Sequence, residues 1–378
     1  LRRPSYTPLC QIAAAASAIQ VAGIMPWFAS QTPDSPKIRI AERGGEQVDL
    51  STGVRYNDRP GGAVKINVSL GTAAVLGLTR AAMAAAPTTA YLMLGGRCLM
   101  NCAFCAQARE SQAGALNLSR VTWPEYDLEE VLERLPAVVA AGAIRRTCLQ
   151  VTVTGESFHD ALRVLQAVKG ACDVPCDVAV LPRDLEQVRS LVEAGADHVG
   201  FGLDAACERV FRQVKGGSWA RHLALVEDTA RTFPGRAAVH LIVGLGETEQ
   251  EMVARIQWAH DLGAAVGLFA FTPVRGTHLA HLPPPPLPVY RRMQMARWLI
   301  VHGLARAQDM CFDVAGALVG FGVPLPDDGQ AFRTSGCPDC NRPFYNEQPG
   351  GTLYNYPWPP SPAEAAQALT EMEVQEDV

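Results

Sequence analysis

TTAYLMLGGRCLMNCAFC, residues 88–105, carries two signals back to back. The first half, TTAYLMLGG (88–96), is a short apolar run closed by two glycines, and it predicts a buried β-strand. The second half sets Cys98, Cys102 and Cys105 on one loop, and no fourth cysteine follows close by. A structural zinc site or a fully ligated iron–sulfur cluster takes four side-chain ligands. Three thiolates leave one metal position open, which suits chemistry more than scaffolding. A zinc knuckle completed by a distant cysteine is the plainer alternative, but the spacing of these thiols is not its usual one.

Outward from this stretch, strand and helix patterns alternate. DLEEVLERLPAVVAAG (127–142) has apolar residues at helical spacing; TCLQVTV (147–153) predicts a strand, FHDALRVLQAVKG (158–170) a helix and CDVAVL (176–181) a strand. The rhythm continues through DLEQVRSLVEAGA (184–196), HVGFGL (198–203), AAVHLIVGL (237–245) and EQEMVARIQWAHDLG (249–263). It ends with AVGLFAF (265–271), YRRMQMARWLIVHGL (290–304) and DMCFDVAG (309–316), with Pro283 to Pro286 as a stiff linker. Buried strands alternating with amphipathic helices predict an α/β fold, a parallel sheet covered by helices. Eight such units would close a barrel and fewer would leave it open. In either form the chemistry belongs at the carboxyl ends of the strands, where the cysteine loop sits.

A chain of 378 residues has room for one large domain with extensions. Its net charge of −5 comes with no basic block, which argues against a nucleic-acid partner. Eleven cysteines in clustered spacings point to metal and a reducing cytoplasm instead of a disulfide scaffold. Residues 2–30 have the basic start, apolar middle and small-residue end of a secretory signal. Gln11, Ser17 and Gln20 interrupt the apolar run, so it makes a poor membrane span, and a soluble helix or disordered leader is expected. The organisation expected is an N-terminal extension (1–84), a barrel (85–320), a cysteine-containing segment (321–360) and a tail (361–378).

The spacing Cys98-x3-Cys102-x2-Cys105 after a first strand closely resembles the signature of the radical S-adenosylmethionine (SAM) enzymes. The resemblance implies a (β/α) barrel, partial or full, and a [4Fe–4S] cluster whose fourth iron chelates SAM. It also implies a 5′-deoxyadenosyl radical made with an electron from a ferredoxin or flavodoxin. Phe104 would pack near the adenine, or simply fill core. HLIVGLGET (240–248) looks like the glycine-rich strand and turn of biotin synthase, where Gly244 and Gly246 would flank SAM; an ordinary strand-to-helix turn is the alternative. VGFGLDAA (199–206) aligns with the fourth-strand motif and gives Asp204 to the SAM ribose, unless it caps a helix. KGGSWARHL (215–223) offers Arg221 or His222 to the SAM carboxylate, against a solvated helix face. Gln150 and Thr152 are candidates for the pocket wall, against strand packing.

Biotin synthase holds a second cluster with three cysteines and an arginine. Cys148 and Cys176 match two of them, whereas Ala238 falls at the third and Met310, Cys311 and Phe312 stand where the arginine is expected. The segment FRTSGCPDCNRPFYNEQPGG (332–351) supplies Cys337 and Cys340, with Cys311 a further option; with Cys148 and Cys176 the pair would make a four-thiolate second cluster under a tail folded across the barrel mouth. The alternative is a two-cysteine turn that caps the barrel or binds zinc. SLGTAAVLGL (69–78), RCLMNCAFCAQAR, GLDAA, HLIVGLGETE and SGCPDCNRPFYNE together resemble a subunit of the two-component lipoyl synthases. That resemblance implies sulfur insertion into an octanoyl chain on a lipoyl carrier domain, beside a sister radical SAM subunit, with no membrane involved. Rivals are a biotin-synthase-like enzyme or other radical SAM transferase or methylase and, in another class, a non-catalytic iron–sulfur scaffold.

Overall fold

The computed structural model describes residues 64–114, 116–347 and 350–374, so the leader at 2–30 and Cys10 lie outside the described residues. Strand β1 (Lys65–Val68) and helix α1 (Leu70–Val75) precede β2 (Thr89–Leu94); a short ribbon, β3 (Asn117–Leu118) and β4 (Val121–Thr122), leads to β5 (Glu125–Asp127). The expected alternation follows: α2 (Leu128–Ala140), β6 (Arg146–Val151), α3 (Ser157–Ala171), β7 (Cys176–Ala179), α4 (Leu185–Glu193) and β8 (His198–Asp204). Helices α5 (Glu208–Val214) and α6 (Trp219–Thr232) lead to β9 (Ala237–Val243), α7 (Glu249–Asp261), β10 (Ala265–Ala270) and α8 (Leu287–Val301).

The sheet runs in the order β10-β9-β8-β7-β6-β2-β1-β5. From β2 to β10 every pairing is parallel, and β1 joins β2 and β5 antiparallel. This is the open form of the barrel. DMCFDVAG adds no further parallel strand, because Asp313 accepts from the N–H groups of Ala315 (2.9 Å) and Ala317 (2.8 Å) and turns the chain back. Its residues instead form β11 (Cys311–Phe312), antiparallel to β12 (Leu318–Gly320) in a separate ribbon. Helix α9 (Pro362–Thr370) ends the described chain, capped by Ser361 and Glu364. Among the described residues no helix is long and apolar enough to cross a membrane.

Side-chain alternation divides the strands between two surroundings. Leu92, Leu149, Val178, Phe201, Leu241 and Leu268 point to the helices and form the main core. The opposite parity faces the barrel interior. The register places Tyr91 beside Cys148, Cys148 beside Asp177, and Asp177 beside His198, one row crossing four strands. The next rows contain Ala179, Gly200, Ala238 and Gly267, and the buried His240 ring packs over Gly200 and Gly267.

The open flank between β2 and β10 is closed by the segment 335–346. Low on the barrel, Leu268 donates its N–H to Ser335 Oγ (2.9 Å), Arg146 Nε donates to Pro338 O (2.9 Å) and Thr88 donates its N–H to Asn341 Oδ1 (3.0 Å). Higher up, Tyr345 donates its hydroxyl to Gln150 Oε1 (3.2 Å) and Asn346 donates to Ala270 O (2.8 Å). The tail therefore does not fold across the barrel mouth. It enters near the amino ends of the strands, at Arg146 and Thr88, and climbs along the free edge of β10 from Leu268 to Ala270.

Candidate functional site

The cysteine loop leaves β2 at its carboxyl end through Gly95, whose φ of +87° a side chain would strain. Backbone bonds pin the loop at four places: Cys98 N–H to Gln107 O (2.8 Å), Leu99 N–H to Val153 O (2.8 Å), Ala103 N–H to Val214 O (2.7 Å) and Cys105 N–H to Cys102 O (3.1 Å). Cys98 Sγ also accepts from the N–H groups of Met100 (3.4 Å) and Val153 (3.3 Å). Burial pushes the Cys102 thiol up to about 12 and Cys105 up to about 11. Each of those two thiols lies within electrostatic reach of the other and of Cys98. Thiols that reluctant to ionise in a pinned loop are matched to a metal, which deprotonates its ligands on binding. Three such donors fit a cluster with one iron left open.

Around this loop the structure separates the expected residues. Asp204, left-handed at φ +65°, forms an ion pair with Lys215, whose Nζ also donates to Gly202 O. Lys215 is 9% and Asp204 14% exposed at the side chain, and both charges act on Cys102. His222 is beside them: its Nε2 is buried without a hydrogen-bond partner, and burial together with Lys215 lowers its pKa to about 4. A buried polar atom left open next to a thiol loop fits a polar ligand such as SAM. Arg221 instead reaches over the surface to Arg183 O (2.8 Å), so the cation turned inward from KGGSWARHL is Lys215. Gly246 (φ +110°) has open space where a side chain would stand, whereas Gly244 (φ +102°) is crowded by Pro285. Glu247 occupies the N–H groups of Gly244 and Leu245. Phe104 is half-buried against the main core. Thr152 stitches β6 to β2 through Leu94 O (3.1 Å) and is strand packing, while Gln150 faces the interior and holds Tyr345.

Deeper inside, Cys337 and Cys340 come against the row that contains Cys148. Burial raises the Cys148 and Cys337 thiols well above the ordinary range, and both are also raised by Asp177 and Cys340. The Tyr91 hydroxyl and Cys340 Sγ are 3.4 Å apart. Cys176 is not part of this group, which corrects the expected four-thiolate set. It pairs with Thr147 in register, so its side chain shares the helix-side core with Val178. Its neighbour Asp177 faces inward instead, bonded to Arg146 (2.8 Å) and to His198 Nδ1 (2.8 Å). Asp177, His198 and Cys337 hold their donor atoms close enough to share one metal ion. Cys311 lies on the separate β11–β12 ribbon, off the barrel sheet.

Arg342 completes the arrangement. Its guanidinium is 3.7 Å over the Phe269 ring, and it donates to Leu268 O (3.2 Å) and Ser335 O (2.7 Å). Its Nε is buried without a partner. A cation buried near Cys340 and given only carbonyls and a ring calls for an anionic neighbour. A thiolate-bound iron–sulfur cluster is such a neighbour. Lys215, Asp177, His198 and Arg342 were not singled out from the sequence. What puts Asp177 and His198 in the row of Cys148 is the register between strands, which the sequence does not carry.

Residues 92–259 match the family model of the radical SAM superfamily. The chain is 28% identical over 219 residues to the biotin synthase of Synechococcus sp. (strain JA-3-3Ab), an alignment covering 54% of this chain and 66% of that protein. It is 22% identical over 177 residues to the lipoyl synthase of Chlorobaculum parvum, covering 45% and 57%. The chain thus spans less than two thirds of the length of these relatives. Among solved structures it is similar to methylornithine synthase, with a TM-score of 0.46, 13% identity and coverage of 57% and 62%. Radical SAM proteins use a [4Fe–4S] cluster and SAM, and the three-thiol loop of this chain has the donors that such a cluster takes. Residues 92–259 thus match the radical SAM superfamily, and over its barrel the chain is similar to biotin and lipoyl synthases.

Proposed function

We propose that the protein inserts sulfur into an octanoyl chain on a lipoyl carrier domain, as one of two cooperating subunits. Supporting this is one observation above the rest: the structure gathers two separate groups of buried thiols, Cys98, Cys102 and Cys105 at the carboxyl end and Cys148, Cys337 and Cys340 deeper down. In this proposal the first group holds the [4Fe–4S] cluster, with Asp204, Lys215 and His222 around the SAM. When bound, the cluster and SAM supply the 5′-deoxyadenosyl radical that takes hydrogen from an unactivated carbon. The second group holds the cluster that donates sulfur, with Arg342 balancing its negative charge. Segment 335–346 packs along the flank, which helps to keep water from the reacting carbon.

Anaerobically reconstituted protein, given SAM, a reductant and an octanoylated carrier, is expected to release 5′-deoxyadenosine and yield a thiolated carrier by mass spectrometry, with the second sulfur appearing only beside its sister subunit. Alanine at Cys98, Cys102 or Cys105 should abolish nucleoside release. Intact product from such a variant would refute the assignment. A biotin-synthase-like activity is favoured by the 28% identity over the barrel. Thiolation of dethiobiotin in place of the octanoyl carrier would decide for it.

A further inference from the structure

Tyr91 stands in the barrel row that contains Cys148, and its side chain is buried in a group with Met93, Trp123 and Tyr345. Among the described residues its hydroxyl has two polar neighbours. It accepts from the backbone N–H of Arg342 (2.8 Å), and it lies 3.4 Å from Cys340 Sγ. We propose that Tyr91 is a positioning residue for the second cluster: its hydroxyl donates to the Cys340 sulfur and raises the potential at which that cluster is reduced. The assignment rests on the function proposed above and adds to it a residue that tunes the deeper site.

Counting protons gives the bond its direction. A phenol has one proton to donate and lone pairs to accept with, and Arg342 already occupies the accepting side. A sulfur bound to iron has no proton, so Tyr91 is the donor across the 3.4 Å contact. Without that bond a buried O–H would be left unpaired, which folded proteins avoid. The contact is also held from both sides. Tyr91 is fixed on β2, where its N–H donates to Thr72 Oγ1 (3.0 Å). Arg342 follows Cys340 by two residues, so its N–H clamps the turn of Cys340 onto the same phenol oxygen. A reduced cluster has one more negative charge, shared by its sulfurs, and a donor there stabilises that form more than the oxidised one. The Arg342 charge acts on Cys340 in the same direction. Cys337 meets the opposite surroundings, with the Asp177 carboxylate beside it, so the donor side of the deeper site is at Cys340.

The test is a redox titration, followed by electron paramagnetic resonance, on full-length protein with Cys98→Ala, Cys102→Ala and Cys105→Ala, which leaves the deeper thiols alone to hold a cluster. In that parent, Tyr91→Phe should make reduction about tenfold less favourable, a potential lower by about 59 mV for one electron. A singly fluorinated tyrosine at position 91, a stronger donor of nearly the same size, should raise the potential. Opposite shifts are the mark of a donated hydrogen bond, since a packing defect would move both proteins the same way. Potentials that stay unmoved, or that move together, overturn the assignment. Where Tyr91→Phe loads no cluster, the fluorinated protein decides alone: a rise upholds the role and no rise overturns it. A parent that assembles no cluster overturns the proposed function and this role with it, whereas a cluster whose potential ignores position 91 overturns the role alone.

Discussion

Lys215 and Arg221 lie on the same short stretch, yet only one of them is buried against a carboxylate. Removing one partner of a buried ion pair leaves the other charge uncompensated and costs about 3–5 kcal/mol. Lys215→Met is therefore expected to lower the free energy of urea unfolding by that amount, whereas the exposed Arg221→Ala should stay within about 0.5 kcal/mol. Two histidines carry a second prediction. Burial lowers both His222 and His240 from 6.5 to about 4, with Lys215 acting further on His222 and Arg342 on His240. Below pH 6.5 the unfolded chain takes up protons that the folded chain refuses until pH nears 4. Their contribution is thus complete above pH 6.5 and is lost as the pH falls. In urea titrations across that window, a His222→Gln, His240→Gln double variant should lose less stability than wild type.

Among the elements, the turn from β2 into the cysteine loop depends on Gly95. At φ +87° a side chain costs about 1–2 kcal/mol, and its Cβ would also collide with Thr152 Oγ1, which is bonded to Leu94 O. Gly95→Ala should therefore shift the loop and reduce iron bound per chain, while far-UV circular dichroism stays close to wild type; full iron loading would show that the loop tolerates the change. The strands themselves were legible, since TTAYLMLGG, TCLQVTV and AVGLFAF each contain a strand of the sheet within a residue or two. Register was not. Cys176 and Asp177 are adjacent in sequence, and only the pairing of Cys148 with Asp177 tells which of them faces inward. A similar gap hid the path of the tail. SGCPDCNRPFYNE shows two thiols on a turn, but its seat in the seam depends on backbone partners at Thr88, Leu268 and Ala270, distant in sequence.

Taken as a whole, the molecule is an open barrel whose missing side is supplied by its own C-terminal segment. One segment thus seals the interior and delivers Cys337 and Cys340 to Cys148, so closure and the deeper thiol group form together. The cysteine loop depends on other contacts, through Gln107, Val153 and Val214. The two groups should accordingly be separable. In Cys337→Ala, Cys340→Ala the tail keeps its anchors at Arg146, Asn341 and Tyr345, none of which uses a thiol. Iron per chain is expected to fall from two clusters' worth to one, with SAM-dependent release of 5′-deoxyadenosine retained and thiolated product lost. Loss of both clusters would mean that the tail thiols support the whole barrel, and unchanged iron would mean that they hold none. Cys176→Ser serves as the control: on the helix side of β7 it should leave the iron content unchanged, whereas a four-thiolate site would lose a ligand.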